Sequence, residues 1–515
     1  MTKGNPNPKK TARASAAAAE AQREQKAEAE EKKEKKDKVG PDGLTKKERL
    51  QIKRHAMPEQ TPEERIRNFR SVVLGYDYET AYAEAQRCLD CPTPRCVEGC
   101  PAEIDIPGFI REIVKGDLEE SYRILKAANA LPAVCGRVCP QEVQCEEVCL
   151  LAKKGPVAIG RLEQFVAEYM LDRFLEQPPK VEKIVPTKEK VAVIGAGPAG
   201  ITAASDLVRL GYDVTIFEAL HKPGGVLNYG IPPFRLPRRI LDAELATIEE
   251  LGVKLRTNIV FGKTVTYEEL LADGFQAFFL GTGAGLPSFM GVPGENANGV
   301  YSANEYLTRV NLMEAWDFPN ADTPVFVGKN VVTVGAGNTA MDSARVSKRL
   351  PGVEKSYIVY RRSKEEAPAR REELHHAEEE GIIFKFLTQP IEVLRDDKNW
   401  LTGIRCLQME LGEPDASGRR RPVPIPGSEF EIECDTLLVA IGQRPNPIAM
   451  RSIPGLEISR WGTIVVDEES MMTSVPGVFA GGDATVGAST VILAVGHGKK
   501  AARGIDAYLA ARRGA

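Results

Sequence analysis

Eight of the ten cysteines crowd into one window: Cys88, Cys91, Cys96, Cys100, Cys135, Cys139, Cys145 and Cys149. The first four read C-x2-C-x4-C-x3-C-P, the next two C-x3-C-P, and the last two C-x3-C. Close triple spacing that ends in Cys-Pro is the habit of [4Fe–4S] ligands, whose fourth cysteine serves a neighbouring cluster. Two [4Fe–4S] clusters are therefore expected. Zinc is an alternative, but zinc sites pair two CxxC or CxxH units and this run holds one CxxC. Disulfides are a further alternative. They are disfavoured because the N-terminus, MTKGNPNPKKTARAS, carries no secretory signal, so a reducing cytoplasm is expected.

Two glycine turns could hold nucleotides. Gly195, Gly197 and Gly200 form G-x-G-x-x-G after the apolar run VAVI, with Pro198 and Ala199 between them. The first glycine makes the turn, the second admits a pyrophosphate and the third lets helix and strand approach. Glu218 ends the next apolar run, VTIFE, where a carboxylate can hold adenosine ribose hydroxyls. Gly335, Gly337 and Ala340 repeat the pattern after VVTV, with Asn338 and Thr339 between them. Here Arg361 and Arg362 stand where an acid would receive a ribose. Guanidinium groups there fork onto a 2′-phosphate, so NADPH rather than NADH is expected. Arg370 and Arg371 are expected to be surface charge.

These groups need elements to position them. Residues 61–185 show helical periodicity interrupted by the cysteine loops. Two strand–turn–helix–strand units, about 140 residues apart, follow. The expected fold is α/β, with two Rossmann-like dinucleotide domains, one inserted in the other, preceded by an α-helical iron–sulfur domain. The expected boundaries are 61–185 for the cluster domain, 186–320 with 430–515 for the first nucleotide, and 321–429 for the second. Residues 1–60 are rich in Lys, Glu and Ala and read as a charged, disordered tail. With a net charge of −4 and no long apolar run, neither nucleic acid nor a membrane span is expected. The five histidines, His55, His221, His375, His376 and His497, show no metal spacing and read as structural or surface groups.

The segment TSVPGVFAGGDAT, with Gly482 and Asp483, resembles the second FAD fingerprint of the two-dinucleotide-binding flavoproteins. LGTGA, with Thr282 and Gly283, and VAIGQRPN, with Gly442, match that family's strand-to-loop connectors. The resemblance assigns FAD to the first turn and the ribityl–phosphate contact to Asp483. The loop Gly224, Gly225, Tyr229, Gly230, Ile231 and Pro232 is expected to border the flavin ring.

With HKPGGVLNYGIPPFRLP and the cysteine run added, residues 60 to the C-terminus resemble the small (beta) subunit of NADPH-dependent glutamate synthase. The same module occurs in dihydropyrimidine dehydrogenase and in NADPH–ferredoxin transhydrogenase large subunits. By that resemblance, cluster one uses Cys88, Cys91, Cys96 and Cys149. Cluster two uses Cys100, Cys139, Cys145 and Glu163, which departs from the family's Gln. The rival reading puts Cys135 in place of Glu163.

The implied activity is hydride transfer from NADPH to FAD and single-electron transfer to the clusters, with no acid–base catalyst. A thioredoxin-reductase-like activity would need a redox CxxC in the nucleotide region, and none is present. Nor is an N-terminal cysteine amidotransferase expected, since residue 2 is Thr. The implied partner is an FMN-containing glutamate synthase large subunit. Alternatively, the chain is the large subunit of an electron-bifurcating transhydrogenase, with a small flavin and iron–sulfur partner. A non-catalytic electron-transfer adaptor is the third reading.

Overall fold

The computed structural model describes residues 39–177, 183–415 and 418–514. Residues 39–177 are helical. Asp105 accepts from the Gly108 amide to cap the Ile106–Lys115 helix, and left-handed Gly116 ends it. Phe109, Ile110 and Ile113 on one stripe are buried against the Leu118–Ala128 and Ile159–Glu176 helices. Pro132–Val138 packs on Ile159–Glu176 at a glycine: a Cβ at Gly136 would lie 2.5 Å from the Gln164 amide nitrogen. That close approach sets Glu163 beside the Cys135–Cys139 turn.

Two five-stranded parallel sheets follow. In the first, Lys190–Ile194 lies centrally, between Asp213–Phe217 and Phe275–Leu280, with Lys254–Arg256 and Val478–Ala480 at the edges. In the second, Asn330–Val334 lies between Lys355–Val359 and Thr436–Val439, flanked by Ile383–Lys385 and Val300–Ser302. An antiparallel sheet of Thr388–Arg395, Leu401–Pro414, Arg420–Pro424 and Phe430–Glu433 is attached to it. The second domain lies between the last two strands of the first sheet in sequence, as an inserted domain must. Its sheet recruits Val300–Ser302 and Thr436–Val439, so it reaches beyond residues 321–429 on both sides.

Residues 39–60 correct the reading of a disordered tail. Arg49 is buried and donates to the carbonyls of Gln86 and Cys88, and Arg54 pairs with Glu146 at 2.8 Å. The His55 amide donates to Glu84. Anchor points so widely spaced hold a segment that has little apolar content of its own. Residues 1–38 of that expected tail lie outside the described residues.

A buried ionic knot fastens the three parts together. Glu380 accepts from Arg65 of the helical domain and from Arg345 and Arg349 of the second nucleotide domain. Arg235 joins Asp342 and Glu373, and Arg161 pairs with Glu372. Arg370, read from sequence as surface charge, belongs to this knot. It is 5% exposed and donates to the Arg137 carbonyl and to Gln141. Arg137 and Gln141, which cover it, come from the docked helical domain. Arg371 does remain exposed.

Candidate functional site: two nucleotide turns and two cysteine nests

The Gly195 turn is held open by its neighbours. Gly195 has a φ of +103°, and a Cβ there would lie 2.5 Å from the Gly281 carbonyl oxygen. Gly200 approaches the Gly195 carbonyl so closely that no side chain fits. At Gly197 an added Cβ would meet nothing within 4 Å, so open space lies where a pyrophosphate would approach. Gly197 caps the Pro198–Arg209 helix, whose amide end faces that space. Glu218 accepts from the amides of Ala196 and Leu220, and burial raises its carboxyl above the usual range. The Thr282 hydroxyl is buried without a protein partner. Gly224 donates to the Ala196 carbonyl, which brings Gly225 over Gly197.

The Gly482–Asp483 turn lies against the same helix, with Gly482 approaching Ala199. His497 accepts from the Gly482 amide through Nδ1 at 3.1 Å, a bond that requires the neutral imidazole. Burial lowers the His497 pKa and keeps it in that form. Asp483 accepts from the Ser489 amide, and burial pushes its carboxyl up to about 6. The Tyr229 hydroxyl is pushed up to about 12 by burial, with Asp483 and Glu218 adding to the shift. Gly230 and Ile231 follow Tyr229, and Asn311 fixes this loop by donating to the Gly230 carbonyl. An open glycine turn, an unpartnered hydroxyl, one buried carboxyl and one half-buried carboxyl fit an adenine dinucleotide such as FAD.

The second turn opens on a cavity of about 470 Å³. Gly335, Gly337 and Thr339 line it together with Gly442 and Ala488. Gly335 has a φ of +132° and crowds the Ala440 carbonyl, which leaves no room for a Cβ. Ala340 is fully buried, and Asn338 accepts from the Arg370 amide, so these two residues support the turn from behind. Arg361 and Arg362 both border the cavity. Arg362 is largely committed elsewhere, donating to the Arg420 carbonyl at 2.8 Å and to Asp415 at 2.6 Å.

The cysteines form two nests. Cys88, Cys91, Cys96 and Cys149 line one small cavity with Leu89, Ile106 and Ile110. Burial pushes the Cys88 and Cys96 thiols up to about 12 and about 11, so bare thiolates are disfavoured there and a cationic metal would offset the cost. Cys100, Cys135, Cys139 and Cys145 are buried in the second nest, and the neighbouring Cys135 together with burial raises the Cys139 thiol well above its ordinary value. Glu163 faces the same nest, acting electrostatically on Cys100, Cys139 and Cys145. It accepts from Asn129 at 3.1 Å, and burial pushes its carboxyl up to about 8. Gly99 allows the nests to adjoin, since a Cβ there would lie 3.3 Å from the Cys145 Cα. All ten cysteines are free of disulfides. Four thiols around one apolar-walled cavity suit an iron–sulfur cluster.

Residues 65–174 match the family profile described as dihydropyrimidine dehydrogenase domain II, 4Fe-4S cluster. Residues 189–498 match the pyridine nucleotide-disulphide oxidoreductase profile, well over half of the chain. The chain belongs to the pyridine nucleotide-disulphide oxidoreductase family. In this chain the family's fold is joined to a 4Fe-4S domain, as the cysteine spacing and glycine turns imply.

The NADP(+)-dependent formate dehydrogenase subunit beta of Moorella thermoacetica is 42% identical over 441 residues, 81% of this chain and 60% of that one. The chain thus spans less than two thirds of that relative. The glutamate synthase [NADPH] small chain of Halomonas elongata is 36% identical over 458 residues, 88% of this chain and 96% of that one. The solved structure of Mycobacterium tuberculosis FprA in complex with NADPH superimposes with a TM-score of 0.54 at 19% identity. That overlap covers 64% of this chain and 86% of FprA, and it establishes a shared fold.

Among the described residues, Glu59, Glu372 and His376 also bring ligand-type atoms together. Arg65 and Arg161 already neutralise the two carboxylates, and His376 bonds Glu59, so this group is part of the ionic knot. No described helix is long and apolar enough to cross a membrane.

Proposed function

We propose that the chain is the electron-input subunit of an NADPH-dependent glutamate synthase, oxidising NADPH and delivering electrons to a larger partner that forms glutamate. The observation that carries this reading is length. Glutamate synthase small chains are matched almost end to end, 96% of the Halomonas protein and 95% of the Azospirillum brasilense protein. A bound flavin would accept electrons in pairs from a nicotinamide and release them singly to clusters.

The chain's own residues give that exchange its geometry. Gly195, Gly197, Glu218, Thr282, Gly283 and Asp483 hold FAD, while Gly335, Gly337, Thr339 and Arg361 hold NADPH. Ala488, five residues after Asp483, lines the NADPH cavity, so the two sites share a wall. On the other side, Gly496 of the Val491–Arg513 helix touches Pro101, next to Cys100. Cluster two, on Cys100, Cys139, Cys145 and Glu163, therefore adjoins the flavin domain. Cluster one, on the partly exposed Cys91, Cys96 and Cys149, adjoins the surface where electrons leave. A soluble cytoplasmic complex suits free thiols in such numbers.

Anaerobic purification of the native chain, followed by an assay of NADPH oxidation, tests the proposal. A large co-purifying subunit and dependence on glutamine plus 2-oxoglutarate are expected. The 42% identity to the formate dehydrogenase subunit favours a second reading, the NADPH-linked subunit of another redox complex. A transhydrogenase large subunit belongs to that class. A small flavin and iron–sulfur partner, or a formate-oxidising one, would replace the first reading with the second.

A further inference from the structure

The antiparallel sheet beside the NADPH cavity does more than brace the domain. Leu401–Pro414 and Arg420–Pro424 pair as a long hairpin, and Arg419, at the foot of the second strand, lines the cavity. The Asp415 amide donates to the Arg419 carbonyl at 2.7 Å, and the Gly418 amide to the Asp415 carbonyl at 2.9 Å. Three arginines stand in a row here, and they part company in space. Arg420 reaches back to the carbonyls of Leu411 and Gly412, within its own hairpin. Arg421 is exposed, and only Arg419 of the three borders the cavity.

Arg362 ties down the hairpin at the ends of both strands. From the end of the Lys355–Val359 strand it bonds both the Arg420 carbonyl and the Asp415 carboxylate, one on either side of Arg419. Its guanidinium is thereby used to hold the hairpin. Arg361, the adjacent residue, is exposed at the cavity wall.

Resting on the reading of this cavity as the NADPH site, we propose that Arg361 and Arg419 together clamp the 2′-phosphate, and that Arg362 is a positioning residue that fastens the hairpin bearing Arg419. Two guanidiniums approaching from different elements match the several acceptor oxygens and the double charge of a phosphate monoester. A single strand-end arginine would leave part of that charge without a partner. The selectivity for NADPH over NADH therefore depends on a hairpin far away in sequence from the glycine turn.

The test uses the full-length enzyme carrying its flavin and clusters. Dye reduction is measured with NADPH and with NADH for wild type and Arg419→Gln, and inhibition by 2′-AMP is compared with that by 5′-AMP. Removing a charge-assisted bond to phosphate is expected to raise the KM for NADPH by about tenfold to hundredfold. The KM for NADH and the kcat stay as they were, and 2′-AMP loses its advantage over 5′-AMP. In Arg362→Gln the KM for NADPH also rises, and the amides of Asp415 and Gly418 exchange hydrogen faster. An unchanged KM for NADPH in Arg419→Gln, or equal rises for both coenzymes, overturns the clamp alone. A wild-type enzyme that uses NADH as readily as NADPH overturns the clamp and the cofactor reading together.

Discussion

Gly496 lies against Pro101, the residue that follows Cys100: a Cβ at position 496 would sit 2.6 Å from the Pro101 carbonyl oxygen. This is the seam between the flavin domain and the second cysteine nest. The same helix is pinned nearby, where Lys499 donates to the Ala128 carbonyl at 2.7 Å. Enlarging Gly496 therefore pushes apart the two domains between which electrons pass. Gly496→Leu is expected to cost about 1–3 kcal/mol of stability, as overpacking does. Rapid mixing with NADPH under anaerobic conditions separates the steps. Flavin bleaching should keep its rate, while reduction of the clusters slows. Equal slowing of both would show that the seam does not limit transfer to the clusters.

The ionic knot gives a prediction about acid. Burial alone would raise the Glu380 carboxyl, but Arg345 and Arg349 overcome it and hold the group well below its ordinary value of 4.5. A carboxyl whose pKa is depressed on folding stabilises the fold above its unfolded pKa, and that contribution drains away as the pH falls below it. Glu380→Ala leaves Arg65, Arg345 and Arg349 without their shared partner. The expected cost near neutral pH is about 3–5 kcal/mol, read by denaturant unfolding. The difference from wild type should shrink as the pH is lowered from about 4.5. A pH-independent difference would mean that packing, not charge, accounts for the loss.

Local spacing made the chemistry readable, and long-range docking hid the rest. Gly195-x-Gly197-x-x-Gly200 and Gly335-x-Gly337 could be recognised because the demand for missing side chains is a local one. The cysteine run was legible for the same reason, since ligands of one cluster must lie close along the chain. Arg362 and Arg370 were not. One is turned aside by Asp415 and the Arg420 carbonyl, 53 and 58 positions away, and the other is covered by Gln141, 229 positions away. Nothing next to either residue signals such partners. Arg419 was passed over for the converse reason: within a run of charges, sequence alone does not say which member faces a cavity.

The two glycine turns are expected to fail differently. Alanine at Gly195 must adopt a φ of +103° and displace the Gly281 carbonyl. The left-handed backbone alone costs about 1–2 kcal/mol, before the clash. Gly195→Ala should purify with less FAD, seen as lower flavin absorbance per chain. Gly335→Ala faces the same strain against the Ala440 carbonyl, but in the other domain. It should keep its flavin absorbance and lose reduction by NADPH, while dithionite still bleaches it. Loss of flavin from both variants would contradict the assignment of one dinucleotide to each turn.

Ligand removal distinguishes the nests and decides the fourth ligand of the buried one. Cys91→Ser and Cys145→Ser should each lower iron by about four atoms per chain, consistent with one [4Fe–4S] cluster in each nest. The electron paramagnetic resonance signal lost should differ between them. Glu163 and Cys135 then compete for a single position. Glu163 is buried and accepts from Asn129, and a buried carboxyl pushed up to about 8 is a costly group to keep unless something uses its oxygen. Cys135, by contrast, packs at 0% exposure among apolar neighbours. Glu163→Ala is therefore expected to lose the second cluster, and Cys135→Ser to retain it. Glu163→Gln, which keeps an oxygen in place, should retain it as well. Retention in Glu163→Ala with loss in Cys135→Ser would transfer the ligand role to Cys135.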